Sequence, residues 1–346
     1  MAAGTLRTLV FTLCVASSCA VNAQTPLATY AGADRMQRLV DGARKEGEVV
    51  IYTSAPLEDI KALTDVFERK YGVTARIWRA SSEKVLQRTL AEIRGGRIEV
   101  DVVETNGPEL EALVREGALQ KVASPSHAEL IAQAVPPHSS WIGTRLNIFV
   151  IAYNTRLVRR EDLPDRWEAF AHPRWKGRLG IEADDADWFS GVAAELGGEA
   201  NATRVFRDIV QANGISVRKG HTLLAQLVAS GEVPLAFTVY NYKAEQLKGR
   251  GAPIDWFVIG AAIARANGVA VVAKPKNPHA ALLFHEFEVS AEGQRILLER
   301  DFVPTHRSIG AGLNSFPLRF VDSKAALNEY PKWRRLYDDT FAPRGR

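Results

Sequence analysis

Two tyrosines lie one residue apart at the end of the segment AFTVYNY, residues 236–242. The apolar alternation of this segment predicts a strand, and alternate residues of a strand project to the same face. Tyr240 and Tyr242 are therefore expected to present two phenols to one space. There they can ligate a hard cation such as Fe(III), or form aromatic walls and hydrogen-bond donors for an organic ligand. The alternative is packing of one ring in the sheet, where we also expect Phe237 and Val239.

Four carboxylates occupy positions 182–187, directly after another predicted strand. Carboxylate oxygens are suitable ligands for hard cations. We expect Glu182, at the end of the strand, and Asp184 to face a ligand, and Glu182 to join the two tyrosines if that ligand is a metal. For Asp185 and Asp187 we favour a role at a helix start, where Asp accepts from free amides and complements the helix dipole.

Two basic segments are candidates for binding an anion. His221 stands at the start of a predicted helix, where free amides form an anion seat. It is expected either to touch the ligand or to be a cap or surface residue. Arg265 lies in a predicted strand of the second half and can bind a carboxylate or phosphate through two parallel hydrogen bonds. A structural ion pair is the alternative for Arg265.

The first half of the chain alternates strands and helices. Apolar or alternating runs at 47–54, 73–81 and 98–106 are separated by segments with helical spacing. This order predicts a parallel sheet with right-handed crossovers, in which ligands bind beyond the carboxyl ends of the strands. The polar residues at those ends, expected to form half of a site, are Thr53, Ser54, Ser81, Ser82, Glu104, Thr105 and Asn106.

The second half contains two long apolar runs, at 145–155 and 264–274, that are long enough to pass between two lobes. Further strands are expected at 177–182, 214–218, 236–242 and 254–260. About 320 residues remain after the N-terminal segment described next, which favours two lobes over one by the usual size of a domain.

The first residues predict a cleaved secretory signal peptide, residues 1–23. Arg7 precedes an uncharged apolar run from Leu9 to Val21, and small residues follow up to Ala23. A lipoprotein signal using Cys19 is the alternative, although the residues before it fit poorly. No later apolar run approaches the ~20 residues of a transmembrane helix. The mature chain is therefore expected to be soluble and exported.

Composition excludes several classes of function. Both cysteines, Cys14 and Cys19, fall in the signal peptide, which leaves no thiol for catalysis, metal binding or a disulfide. Removing residues 1–23 takes away only Arg7, so the net charge falls from +4 to +3. No Lys/Arg-rich run indicates nucleic acid. No G-x-S-x-G, H-E-x-x-H or phosphate-binding glycine loop indicates an enzyme. A secreted hydrolase using Glu104 and Glu182 is the alternative, but nothing positions a nucleophile, and we assign no catalytic residue and no cofactor.

Four segments resemble one known family in its own order along the chain. They are GEVVIYTS (47–54), EVDVVETN (99–106), FVIAYNTR (149–156) followed by PRWKGRLGIE (173–182), and the run from GVAVVAKPKNPH to SAEGQ (268–294). The resemblance is to the periplasmic substrate-binding proteins of ABC importers, in the extracellular solute-binding group that includes the ferric-ion-binding proteins.

The resemblance implies an α/β, two-lobe periplasmic-binding-protein fold (type II) with two hinge-crossing strands and a ligand cleft between the lobes, which close by hinge motion. Its implied organisation is lobe 1 from 24–146, lobe 2 from 147–265, a return to lobe 1 at 266–315, and C-terminal helices at 316–346 packing on lobe 2. The hinges would lie near 147–153 and 266–269.

The ferric site of that family is matched only in part. Ferric binders use adjacent tyrosines, a first-loop histidine and a third-loop glutamate. Here Tyr240 falls on the pair but Tyr242 is displaced by one, Pro56 stands where the histidine is expected, and Asn106 stands near the position of the glutamate. The implied cargo is therefore ferric iron or a ferric complex, or alternatively a small organic anion such as a carboxylate, phosphonate or sugar phosphate.

The implied function is that of a monomeric periplasmic carrier that delivers its cargo to an ABC permease in the inner membrane. A ligand sensor that docks on a membrane receptor would share these features, because both roles use the closed lobes as the signal.

Overall fold

The computed structural model describes residues 26–310 and 316–342; the predicted signal peptide, with both cysteines, lies outside them. The strands are β1 Glu48–Thr53, β2 Thr74–Arg79, β3 Val102–Asn106, β4 Ile142–Asn154, β5 Leu179–Glu182, β6 Ser216–Arg218, β7 Leu235–Tyr240, β8 Ile254–Phe257, β9 Ala262–Val271, β10 Val303–Pro304 and β11 Leu318–Phe320. The α-helices are α1 Arg35–Glu46, α2 Leu57–Tyr71, α3 Ser82–Arg94, α4 Gly107–Arg115, α5 Ala186–Glu195, α6 Glu199–Asn213, α7 His221–Ser230, α8 Asn241–Gly249, α9 Pro278–Val289, α10 Ala291–Glu299 and α11 Ser323–Phe341.

The parallel unit predicted for the first half is confirmed. β1 pairs in parallel with both β2 and β3, and α2 and α3 connect them. The third strand is shorter than predicted and begins at Val102. Beneath this sheet Phe67 of α2 packs against Phe284 and Phe287 of α9, a helix that is almost wholly buried. We call this half lobe 1.

Two long strands pass between the halves, as predicted. β9 is antiparallel to β3 and β4, and the far end of β4 is antiparallel to β7 and β8. All residues of β4 and β9 are buried, which explains why both strands are mainly apolar. The strand order β2-β1-β3-β9-β4-β7-β5-β6 therefore follows one continuous path of hydrogen bonds through both halves.

The second half, lobe 2, is built on β5, which pairs in parallel with β6 and β7. Its core is aromatic: the Phe237 ring lies 5.5 Å from that of Trp167, 4.8 Å from that of Phe170 and 6.1 Å from that of Phe206. Phe237 and Val239 are buried, which confirms the prediction that they belong to the core.

The prediction that AFTVYNY is a strand to its end is wrong. β7 ends at Tyr240 and α8 begins at Asn241, so Tyr242 belongs to the first turn of a helix. Strand alternation therefore does not place Tyr240 and Tyr242 on one face. The sharp strand-to-helix turn nevertheless leaves the two rings 5.9 Å apart and close to parallel.

The C-terminal segment joins both halves. β11 pairs in parallel with β9, and α11 packs on α5 and α6 of lobe 2 as well as on α4 of lobe 1. The expected packing of residues 316–346 on lobe 2 therefore describes only part of their contacts. Within residues 26–310 and 316–342, no helix combines the length and the apolarity needed to cross a bilayer.

Candidate functional site

Strand register aligns polar side chains along one face of the crossing strands. Asn267 of β9 lies opposite Asn106 of β3, and Arg265 of β9 lies opposite Asn147 of β4. Because side chains alternate along a strand, Arg265 and Asn267 share one face. On β4 the same face continues to Phe149, which pairs with Tyr240 of β7. The face therefore runs without interruption from lobe 1 to lobe 2.

The lobe 1 end of this face is an amide and hydroxyl cluster. Asn106 Nδ2 donates to Ser82 Oγ (2.8 Å), and its Oδ1 accepts from Nδ2 of Asn147 and of Asn267 (both 3.2 Å). Asn267 Nδ2 also lies 3.5 Å from Ser54 Oγ. The structure thus brings together Ser54, Ser82 and Asn106 from three different strand ends, as the sequence predicted.

Four other predicted residues of lobe 1 have partners or positions of their own. Glu104 accepts hydrogen bonds from Thr53 Oγ1 and from Arg145 Nη1, and all three side chains are buried. Thr105 is completely buried. Ser81 caps α3, with its hydroxyl accepting from the amide of Lys84 at 3.4 Å. Of these, only Ser81 is exposed to an incoming ligand.

A second buried carboxylate lies beside the Glu104–Arg145 pair. Oε1 of Glu288 is 3.9 Å from Nη1 of Arg145, and in the part of the chain that the structure describes neither carboxylate oxygen of Glu288 has a hydrogen-bond partner. Burial raises the pKa of Glu288, and repulsion from Glu104 adds to the rise. A protonated, neutral Glu288 is the form that suits this site.

The lobe 2 end of the face carries three residues with metal-ligating atoms. One atom each from Glu182, Asp185 and His221 lie within 4.8 Å of one another. Glu182 Oε1 accepts from the amide of Gly220 at 2.7 Å, and its other oxygen accepts from the amide of Asp184. Burial raises the pKa of Glu182, and the Asp185 carboxylate raises it further.

Asp185 does not cap α5, so that part of the sequence interpretation is wrong. It stands at the N-cap position without a side-chain hydrogen bond to the helix, and both of its carboxylate oxygens are buried without a hydrogen-bond partner among residues 26–310 and 316–342. The nearest cation is His221, whose Nε2 lies 3.3 Å from Asp185 Oδ1. Burial lowers the pKa of His221, but the carboxylates of Asp185 and Glu182 outweigh this effect, and the net pKa is raised.

Arg265 binds a carboxylate, but one of its own chain. Its Nη1 lies 2.8 Å from Oδ2 of Asp187, its Nη2 contacts the Tyr240 hydroxyl, and its guanidinium lies 5.0 Å from the centre of the Phe149 ring. The imidazole of His221 stacks on the Tyr240 ring, with 3.7 Å between ring centres. Burial raises the pKa of the Tyr240 phenol well above its usual value, although Arg265 works against this.

Two predicted residues sit at the margins of this group. The Tyr242 ring packs 4.2 Å from that of Phe302, and burial raises the pKa of its phenol despite the nearby charge of Arg145. Asp184 is exposed; its carboxylate lies 2.7 Å from Nη1 of Arg334 and 3.4 Å from Nζ of Lys219. Tyr242 is thus buried at the junction with lobe 1, whereas Asp184 is engaged at the surface.

Sequence reasoning missed several residues that the fold brings to this face. Glu109, in the first turn of α4, has a buried Oε2 without a partner among the described residues, and burial raises its pKa to about 7 even though Arg265 lowers it. For Asp185 and Asp187 the sequence favoured a helix start over a ligand role. Asn147 and Asn267 carried a usable signal, because polar residues inside long apolar strands need a partner.

The chain matches the family model for bacterial extracellular solute-binding proteins over residues 100–336. Among curated relatives it is 24% identical to iron uptake protein A1 of Synechocystis sp., over 89% of this chain and 88% of the relative. It is also 24% identical to the Fe(3+)-binding periplasmic protein of Serratia marcescens, over 86% of this chain and 90% of the relative.

Solved structures share the fold. Iron-bound HitA from Pseudomonas aeruginosa aligns with a TM-score of 0.73 at 24% identity, over 85% of this chain and 99% of that one. The periplasmic binding protein AfuA from Actinobacillus pleuropneumoniae, with fructose-6-phosphate bound, aligns with a TM-score of 0.75 at 21% identity, over 86% and 99%. The two-lobe architecture with crossing strands is therefore that of periplasmic binding proteins, as expected from the sequence.

Proposed function

This chain belongs to the bacterial extracellular solute-binding proteins, and on that premise we propose that it is the periplasmic carrier of an ABC import system for ferric iron or a ferric complex. It acts as a binding protein with no catalytic step. It captures its cargo between the two lobes, closes about the crossing strands and docks as the closed monomer on an inner-membrane permease. Closure is driven by contacts that the cargo makes with both lobes at once.

The observation that carries the choice of a cation is the balance of buried charge. Three carboxylates, those of Glu182, Asp185 and Asp187, are buried at the lobe 2 end of the face, and the described residues set two basic side chains against them, Arg265 and His221. Buried carboxylates are costly unless a cation balances them. An iron ion supplies the missing positive charge, and its preference for hard oxygen ligands matches these carboxylates.

The names of relatives support iron as that cation. Two of the curated relatives described above are named for iron uptake and for Fe(3+) binding, and one of the solved structures holds iron. The ligands that we propose are Tyr240, Tyr242 and Glu182. A phenol that ligates a trivalent cation releases its proton to solvent, and the positive charge of Arg265 favours the phenolate of Tyr240.

Four candidate residues of lobe 1 are proposed to bind the anions that accompany the iron. The hydroxyl and amide groups of Ser54, Ser81, Ser82 and Asn106 lie on the lobe 1 side, around the amino-terminal end of α3. Such donors suit the anionic oxygens of a chelator such as citrate. In this arrangement lobe 2 binds the metal and lobe 1 binds the anion.

The same donors favour one second candidate, a carrier for a small organic anion such as a sugar phosphate. The bound fructose-6-phosphate of one structural neighbour supports it. The surplus of carboxylates in lobe 2 argues against it, since an anion there would meet Glu182 and Asp185, and the two nearby cations of the described residues, Arg265 and His221, are already paired with Asp187 and Asp185.

The test is addition of ferric citrate to the purified protein. A visible phenolate-to-iron charge-transfer band is expected, and Tyr240→Phe should abolish it, whereas Tyr330→Phe, on the exposed face of α11, should not. A thermal-shift screen tests the second candidate, because a ligand that binds the native protein raises the melting temperature of that protein. A response to organic anions alone, without a band, would replace iron by the second candidate.

A further inference from the structure

Asp185 and His221 carry metal-ligating atoms but are not among the iron ligands Tyr240, Tyr242 and Glu182 proposed above. We propose that they, together with Glu182, form a mixed nitrogen and oxygen metal site that lies wholly within lobe 2. This inference rests on the proposed carrier function and names the ligands that hold the metal before the lobes close.

The state of Asp185 is the first argument. Its side chain is 1% exposed, no group within residues 26–310 and 316–342 makes a well-aligned hydrogen bond to its carboxylate, and its Oδ1 lies 3.3 Å from His221 Nε2. The guanidinium of Arg265, at 3.8 Å, is the other nearby cation, and it is already bound to Asp187 at 2.8 Å. A buried carboxylate is normally paired, hydrogen-bonded or bound to a metal. The basic side chain closest to Asp185 is thus His221, the second ligand of the proposed site.

The tautomer of His221 is the second argument. Its Nδ1 lies 3.0 Å from the carbonyl oxygen of Thr238. A carbonyl can only accept, so Nδ1 carries a proton, and Nε2 is the ring atom that faces Asp185 and would exchange its own proton for a metal. A metal-bound histidine typically donates its other ring N–H to a carbonyl or carboxylate in this way, which fixes the ring and its tautomer. The ligand atom of His221 is thus already oriented.

The placement of the three residues in the fold is the third argument. Glu182 ends β5, Asp185 directly precedes α5 and His221 begins α7, so all three come from elements of lobe 2. The Tyr337 hydroxyl of α11 donates to the backbone oxygen of Glu182, and the Gly220 amide donates to the Glu182 carboxylate. Among the described residues, the contacts that hold these ligands in place come from lobe 2, from α11 and from crossing strand β9.

The ligand set has a consequence for selectivity. Imidazole nitrogen is a good ligand for first-row transition metals, whereas sites made only of oxygen suit harder ions. A site with one imidazole and two carboxylates should therefore bind a divalent transition metal as well as iron. A site built from phenolates and carboxylates alone should not bind divalent transition metals in this way.

The experiment uses cobalt(II) chloride as a spectroscopic probe with the full-length mature protein. Titration calorimetry should show one Co²⁺ bound, and His221→Gln and Asp185→Asn should each weaken binding at least 10-fold. The matched control Asp184→Asn changes the neighbouring exposed carboxylate and should stay within twofold. Because loss of a nitrogen ligand alters the ligand field, the cobalt absorption band should also shift in His221→Gln.

A measurement on the unmodified protein covers the case of a variant that fails to fold. Co²⁺ bound to Nε2 should produce a strongly shifted, solvent-exchangeable proton resonance from the Nδ1–H of His221. Wild-type protein that binds Co²⁺ without such a resonance, or variants that bind it unchanged, overturns the lobe 2 site.

Failure of this inference and failure of the iron proposal give different results. A ferric charge-transfer band with no binding of Co²⁺, and with ferric affinity unchanged in His221→Gln, refutes the lobe 2 site and leaves the carrier role intact. Co²⁺ binding that depends on His221, without any response to ferric citrate, supports the site and refutes iron as the cargo. Binding of neither metal refutes both.

Discussion

Nη1 of Arg265 lies 2.8 Å from Oδ2 of Asp187, and both side chains are only 9% exposed. Arg265 belongs to crossing strand β9, and Asp187 to the first turn of α5. The pair therefore fixes the crossing strand to lobe 2. The same guanidinium contacts the Tyr240 hydroxyl, so the ion pair also positions the phenol that we propose as an iron ligand.

Replacing Arg265 should destabilise the fold more than replacing any exposed arginine. Arg265→Ala leaves Asp187 and Asp185 without a guanidinium in a buried site, and removal of one partner of a buried ion pair costs about 3–5 kcal/mol. Urea unfolding measures the change in the free energy of unfolding. Arg204→Ala is the control, since Arg204 forms an exposed pair with Asp208 whose loss should cost about 0.5 kcal/mol or less. Equal losses in the two variants would contradict the structural role of Arg265.

Lys243 should hold the lobes together. Its Nζ, on α8 of lobe 2, lies 3.5 Å from Glu58 Oε1 and 3.9 Å from Asp59 Oδ2, both on α2 of lobe 1. Lys243→Met keeps much of the apolar stem but removes the charge, so the ligand-free protein should populate more open forms. Small-angle X-ray scattering should then give a larger radius of gyration without cargo and a normal one with it.

The control for this prediction is Lys61→Met, because Lys61 pairs with Asp65 inside α2 and does not bridge the lobes. A radius of gyration that stays the same in Lys243→Met and Lys61→Met would show that the contact does not govern opening.

Glu288 should make the protein less stable at alkaline pH. Burial, with repulsion from Glu104, raises its pKa above the usual 4.5. Between the unfolded and the folded pKa the folded state retains a proton that the unfolded state has lost. Stability is therefore fully present below the unfolded pKa and falls as pH rises through the folded one. Glu288→Gln mimics the protonated form and should flatten this decline.

Thermal melts from pH 5 to pH 9 test this prediction. At pH 9 Glu288→Gln should be more stable than wild type by at least about 1.4 kcal/mol, the equivalent of one pKa unit, and at pH 5 the two should be alike. The exposed Glu161→Gln serves as control and should follow wild type throughout. A variant less stable than wild type at pH 9 would show that ionised Glu288 stabilises Arg145 instead.

Phe237 should be among the most sensitive positions of lobe 2. Its side chain is 1% exposed and lies between the rings of Trp167 and Phe170. Phe237→Ala removes those contacts and leaves a cavity, which costs about 3–5 kcal/mol in a well-packed core. Phe237→Leu should lose less than half as much, as measured by chemical denaturation; similar losses in the two variants would indicate a role other than filling volume.

The organisation of lobe 1 was predictable because its signals are local. Apolar runs such as 47–54 are bounded by glycine and serine, and helices such as α2 carry their apolar residues at regular spacing and stop at Gly72. The topology rule for parallel sheets then selected the strand ends, and Ser54, Ser82 and Asn106 do meet there. The crossing strands were predictable from their length and from their apolar character on both faces.

The errors arose where spatial neighbours decide the outcome. The spacing of Tyr240 and Tyr242 fits a strand, but the chain turns into α8 between them. Asp185 has the residue type and position of a helix cap, yet its carboxylate turns toward His221, which is 36 residues away in sequence. Glu104 stands at a strand end but is bound by Arg145 from the crossing strand.

The amino-acid sequence by itself determined the α/β class, the two-lobe organisation and the general location of the site, because periodicity, helix boundaries and strand ends are set by residues close along the chain. Only the tertiary structure decided which carboxylates have partners and which do not. Pairing of buried charge depends on distances between residues from separate elements, such as those joining Asp185, His221 and Arg265. No pattern along a single segment of the chain encodes these distances.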